Sequence, residues 1–287
     1  MKFNYKPGNY IKSSNNTYRI IRKISLLILF LYVWVILFYP INNFLLYIFN
    51  TFIICSFNIL INFLYYKFTR NKKSLLYVIG NTYSFINGLL ISMLLPVNMP
   101  LIVTLVLMLI VFLIVLLVNK FFNIKLNYIV MLLLCSYIYL NINNVEMNYI
   151  LLLKNSTSLF LILITIIIAA FLVINDCIKW RITITYFIIL IGCMLLDTIL
   201  NRNNYMNFYL NNIVSLFNII YALFVINEFK STSIIPFTQY VYAFFSAITM
   251  FIGFKLDNYY LAFITIIFFN ILNLLLDNIY INLKNKN

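Results

Sequence analysis

The sequence predicts an all-α integral membrane protein of about ten transmembrane helices. Three observations carry that prediction. Of the 287 residues 64% are hydrophobic and 9% charged, against roughly 45–50% and 25% in soluble domains, and the mean hydropathy is +1.01. Apolar stretches of roughly 16 to 23 residues recur down the whole chain, and about 20 such residues in a helix cross the hydrocarbon core of a bilayer. Finally, once these stretches are counted as spans, nearly all of the basic residues fall on one side of the membrane, as the positive-inside rule requires.

Residues 1–23 are polar and hold Lys2, Lys6, Lys12, Arg19, Arg22 and Lys23. They predict a cytoplasmic N-terminal segment followed by a retained first span, with no removable signal peptide. The first five spans are expected near residues 24–39, 44–66, 75–95, 101–118 and 126–141. The next five are expected near 159–175, 182–199, 211–227, 238–254 and 259–276. A single polytopic domain, 1–287, then comprises two five-span halves, 24–141 and 159–276, joined by an outside connection near 142–158. Both ends lie in the cytoplasm and the chain sits in the plasma membrane. All of the 20 Lys and Arg except Lys154, Arg202 and Lys255 fall inside. The net charge of +14 therefore marks topology, with the lipid bilayer as partner and no nucleic acid. Five spans followed by five also suit an inverted repeat, because an odd-numbered unit re-enters from the opposite face.

The third span carries Asn81, Thr82, Asn87 and Gly88 and runs into Pro96 and Pro100. That composition predicts either a bent or broken helix near a central site or a helix end closed by prolines. Histidine is absent, which removes the usual haem ligand, proton shuttle and zinc ligand. Cys55, Cys135, Cys177 and Cys193 are scattered without metal-ligand spacing and read as packed thiols. No glycine-rich phosphate loop or hydrolase triad is present. Among the six acidic residues, Asp197 lies nearest to membrane depth and Glu228 closes the eighth span next to Asn227. With Asn87, these are the candidate residues for contact with an ion or a neighbouring subunit. Asp176 to Arg181 reads as an interfacial anchor, with Trp180 at headgroup level and cations on either side.

Three segments, in order, resemble the RnfD/NqrB family, the membrane components of Rnf ion-translocating electron-transport complexes and of the related sodium-pumping NADH:quinone oxidoreductases. Asn81 to Pro100, NTYSFINGLLISMLLPVNMP, is similar to that family's third span. Ile178 to Phe187, IKWRITITYF, is similar to its I-x-W-R/H-I-P-x-S-F, with Thr183 in place of the proline. Asn212 to Asp277 includes ALFVINEFKSTS, which resembles A-F-F-x-x-T-D-P-V-T-x-S, and DNYYLAFITIIFFNILNLLLD, which resembles the family's last span. The resemblance implies a ten-span protein that works with other membrane and flavoprotein subunits. It also implies FMN or riboflavin as electron carriers, with sodium ions or protons moved by the complex. The chain departs from the pattern in several places. The S-x-A-T motif whose threonine holds FMN is not recognisable, and Thr157 in Asn155-Ser156-Thr157-Ser158 is the nearest acceptor. The family's G-G-L-G-Q-N-P-F-N-P-A stretch is shortened to FFNIKLNY. At T-D-P, Asn227-Glu228-Phe229 keeps only the acid. The alternative function is a solute or vitamin channel or transporter with the same inverted-repeat architecture.

Overall fold

A computed structural model describes residues 17–38, 44–69, 74–95, 99–143, 159–175, 177–201, 212–213, 215–228, 231–233, 235–256 and 258–284. Helices account for nearly all of them, and no strand occurs among the described residues. They are α1 (Thr17–Phe38), α2 (Phe44–Phe68), α3 (Leu75–Asn81), α4 (Ser84–Leu94), α5 (Leu101–Phe122), α6 (Tyr128–Ile142), α7 (Leu159–Ile174) and α8 (Trp180–Asn201). After these come α9 (Leu216–Ile220, continued by a π turn, Tyr221–Val225), α10 (Pro236–Leu256) and α11 (Tyr260–Lys284). Four stretches among the described residues are long and apolar enough to cross a membrane: Leu45–Phe68, Leu101–Phe122, Trp180–Leu200 and Pro236–Leu256. Ser84–Leu94, Tyr128–Ile142 and Tyr260–Asn273 are apolar but shorter.

The starts of these helices follow from local chemistry. Ser74 accepts from Tyr77 N, Asn127 from Val130 N, and Ser215 from Asn218 N, each satisfying an amide that the first helical turn would leave without a partner. At the far end of α5, Asn123 turns the chain with φ 56°, a left-handed conformation that asparagine tolerates. The core runs through both halves of the chain, and its largest wholly buried side chains include Tyr186, Phe217, Tyr221, Tyr242, Phe254 and Phe263. The outside is apolar too: Leu45, Phe68 and Ile102 are 80%, 81% and 76% exposed. A rim of this kind is stable against lipid and costly against water.

Two elements depart from regular helix. The third expected span is split at Thr82, whose backbone is extended (φ −117°, ψ 157°), so the break falls well before the prolines at 96 and 100. Side chains add bonds to carbonyls on either side of the break. Thr82 Oγ1 donates to Val78 O, and Asn58 Nδ2 of α2 donates to Ser84 O at 2.7 Å. Within the eighth expected span the short helix Leu216–Ile220 widens into the π turn. Ile226 N then bonds to Tyr221 O, five residues back, at 3.0 Å.

Packing brings these irregular stretches to the centre. α4 packs between α1 and α2, and α8 packs along α10, which in turn packs on α11. Gly88 lets α4 come close to α2, because a Cβ there would lie 2.8 Å from the Cα of Cys55. No other residue type permits that approach.

Candidate functional site

The π turn leaves carbonyls without their regular partners, and two asparagines take them up, with a third bonded to one of them. Asn227 Nδ2 donates to Ala222 O at 2.7 Å and to Thr183 Oγ1 of α8 at 2.8 Å. Asn127 Nδ2, at the head of α6, donates to Val225 O at 2.9 Å. Asn270 of α11, with its amide oriented so that each end meets a partner, accepts from Asn127 N at 2.9 Å and donates to Ser231 O at 3.3 Å. Tyr186 OH donates to Asn218 Oδ1 at 2.6 Å. The turn is thus held by side chains from α6, α8 and α11.

The connection from α9 to α10 is tied just as closely. Ser231 Oγ donates to Glu228 Oε2 at 2.7 Å, and Thr232 Oγ1 to Glu228 O at 2.8 Å. Lys179 Nζ reaches across from the start of α8 to Ser233 O at 2.8 Å and to Thr232 O at 3.1 Å. Lys179 therefore fastens this connection as well as standing beside Trp180, a role its sequence position did not convey. Asn273 Nδ2 adds a bond to Ser231 O at 3.4 Å.

Two cavities flank the carboxylate of Glu228. The smaller, about 30 Å3, is lined by Tyr83 and Asn87 from the broken third span, by Cys177 and Ile178 ahead of α8, and by Asn227 and Glu228 after the π turn. Ile24 and Ile129 complete its apolar side. Asn227 is 3% exposed, and its Oδ1 has no hydrogen-bond partner. A buried acceptor at a cavity of this size suits a water or a small cation. The larger cavity, about 350 Å3, shares Asn87 and Glu228 and extends between α2 and α5 to Lys125.

The structure thus brings together three of the candidate residues, Asn87, Asn227 and Glu228. Asp197 stands elsewhere, 17 residues along α8 from Trp180 and so about 25 Å away down the axis, where it pairs with Lys255 of α10. Thr157 lies outside the described residues. The buried asparagines at 58, 127, 218, 270 and 273 were not anticipated. Their signal in the sequence is an amide inside an otherwise apolar run, as in FFNILNLLL.

In FFNIKLNY, which stands where the resemblance places a glycine-rich segment, the backbone amides of Asn123 and Asn127 are already bonded, to Asn119 O and to the Asn270 side chain. The small cavity holds no more than a water or two. Gly80 and Gly88 are occupied in packing against Tyr18 and Cys55.

No protein-family model matches the chain, and no curated protein matches it. The fold and the site define a protein of apolar helices, four of them among the described residues of membrane-crossing length, built around a buried asparagine network with Glu228 lining two cavities.

Proposed function

We propose that the chain is the membrane subunit of an Rnf-type redox-driven ion-translocating electron-transport complex. It spans the plasma membrane about ten times in two five-span halves, with both termini cytoplasmic. It acts through the Glu228 site without a flavin nucleotide held by the residues described above. One observation carries this reading: the three segments that resemble the family converge on one cavity. Tyr83 and Asn87 come from the first, Ile178 from the second, and Asn227 and Glu228 from the third. Residues nearly 150 positions apart in sequence gain nothing from similarity to one family unless they work in one place.

Two further features support it. The split helix and the π turn fall in the third spans of their respective halves, and interrupted helices at matching positions are a pointer to the binding site in inverted-repeat proteins. Lys23, Lys125 and Lys179 gather at the end of the molecule where Asn227, Glu228 and residues 231–233 lie, whereas Lys255 meets Asp197 at the far end. That division agrees with a basic cytoplasmic face. In this setting Glu228 supplies a fixed negative charge, held by Ser231 and flanked by the amides of Asn87 and Asn227, at which a cation or a donor from a neighbouring subunit is stabilised.

The test is affinity purification of the tagged chain from mildly solubilised membranes, together with redox-driven ion uptake in membranes carrying Glu228→Gln or Asp277→Gln. Flavoprotein and iron–sulfur subunits should co-purify. Glu228→Gln should impair assembly or ion uptake, and Asp277→Gln should not. If both variants behave as the parent, Glu228 is a surface charge. A chain that purifies alone and whose deletion leaves redox-driven uptake intact would overturn the reading in favour of a solute channel or transporter.

A further inference from the structure

We propose that the small cavity is an internal water site that exchanges with solvent at the basic end of the molecule, by way of the larger cleft and past the side chain of Asn87. The cavity, about 30 Å3, has room for about two waters. Asn227 lines it, is 3% exposed, and has no hydrogen-bond partner for its Oδ1 among the described residues. The other end of the same amide is committed, since Nδ2 donates to both Ala222 O and Thr183 Oγ1. The side chain therefore cannot turn its oxygen away without losing two bonds. An acceptor fixed in this way within the core calls for a donor.

Water is the donor that suits the surroundings. Asn87, in the broken third span, lines the same cavity, and its side chain makes no hydrogen bond among the described residues. Its amide both donates and accepts. A water that donates to Asn227 Oδ1 and bonds to the Asn87 amide has the two polar partners that an internal water needs. Glu228, whose carboxylate already accepts from Ser231 Oγ, is needed here only as part of the wall.

The route follows from the walls. Much of the small cavity is bounded by apolar side chains, among them Ile24, Leu90, Ile129 and Leu223, and the residues it shares with the larger cleft are Asn87 and Glu228. A water that crosses an apolar wall gives up its hydrogen bonds, whereas one that passes Asn87 keeps a partner. The larger cleft, about 350 Å3, carries Asn62, Asn119 and Lys125. It lies where α2 and α5 end, with Lys67 and Lys120 in their last turns. Both helices are long and apolar enough to cross a membrane, so the cleft sits at the level of headgroups and solvent. The inference stands independently of the redox reading, since it needs neither an electron carrier nor a partner subunit, and it names the end from which water reaches the Glu228 site.

The experiment is X-ray radiolytic footprinting of the purified full chain in detergent micelles. Hydroxyl radicals made from a bound water oxidise the side chains beside it, and mass spectrometry reads the products residue by residue. Cys177 is the reporter, because it lines the small cavity and is 0% exposed. Cys55 is the control, a buried thiol of the same chemistry that lines neither cavity. In the wild-type chain Cys177 should be oxidised several-fold faster than Cys55. When the protein is mixed with water enriched in heavy oxygen just before exposure, the oxygen gained by Cys177 should carry the label. Asn87→Leu should slow that uptake by about tenfold, because the entering water then passes without a hydrogen bond, while the variant unfolds close to the parent. Oxidation of Cys177 no faster than that of Cys55 overturns the water site, and this arm needs no variant. Uptake of heavy oxygen as fast in Asn87→Leu as in the wild type overturns the route through the larger cleft.

Discussion

Replacing Asn227 by leucine isolates what the π turn depends on. The substitution keeps the volume of the side chain but removes its amide, which donates to Ala222 O at 2.7 Å and to Thr183 Oγ1 at 2.8 Å. Side-chain hydrogen bonds within membrane proteins average about 0.6 kcal/mol, so the two bonds alone contribute about 1.2 kcal/mol. The loss is asymmetric, however. The Thr183 hydroxyl can turn back to a carbonyl of its own helix, whereas the Ala222 carbonyl, with Ala222 itself 0% exposed, loses this donor in the core. A buried acceptor left unpaired costs about 1–3 kcal/mol. The leucine also eliminates Asn227 Oδ1, which has no partner in the parent, and that offsets part of the loss. The expected net destabilisation is about 1–3 kcal/mol. It should appear as a lower midpoint in SDS-titrated unfolding of the purified chain. Asn87→Leu is the matched comparison: Asn87 lines the same cavity but its side chain makes no hydrogen bond among the described residues, so the midpoint should move little. If the two variants unfold at the same midpoint, the asparagine does not hold the turn and the account of the site is wrong.

Gly88→Ala should cost about 1–3 kcal/mol by overpacking, because the new methyl meets backbone, Cys55 Cα at 2.8 Å. Gly80→Ala meets only the ring edge of Tyr18 at 2.7 Å, which can swing aside, so that variant should unfold close to the parent. Lys179→Met should loosen the connection from α9 to α10, costing about 1.5–3 kcal/mol for the lost charge-assisted bonds, and should speed trypsin cleavage at Lys230. Asp197→Asn, which breaks the pair with Lys255 (side chains 11% and 40% exposed), should lower the unfolding midpoint by about 1–3 kcal/mol, because the aspartate is largely buried. An unchanged midpoint would mean that the pair contributes nothing to folding.

Much of the helical pattern was legible in the sequence, because long apolar runs leave few alternatives to helix. α2, α5 and α10 begin and end within a few residues of the expected spans. The breaks were less legible. Pro96 and Pro100 drew attention to the end of the third span, but the split occurs at Thr82, where a hydroxyl and the Asn58 amide of another helix bond carbonyls on either side of it. That bonding depends on a neighbour 24 residues earlier in sequence, which no local pattern reveals. The π turn has no composition of its own and is recognisable only through the asparagines that surround it. Glu228 and Asn227 stood out because they interrupt an apolar run at its end, and Asn87 because its span is polar. The larger number of asparagines in this chain hid the rest, since one amide among many carries little information until it is known to be buried. Lys179 looked like an interfacial charge because its acceptors, Thr232 O and Ser233 O, are more than 50 residues away.

A carboxylate that belongs to two cavities cannot serve them independently. Glu228 faces the small cavity beside Asn227 and the larger cleft beside Lys125. A positive group bound on one side therefore weakens the attraction felt by a positive group on the other, and an anion has the opposite effect. Thermodynamic linkage makes this reciprocal: whatever factor the first occupant imposes on the second, the second imposes on the first. The wall between the two compartments is thus itself a coupling element: a charged occupant of the larger cleft would change the affinity of the smaller cavity for a charged occupant without any helix having to move.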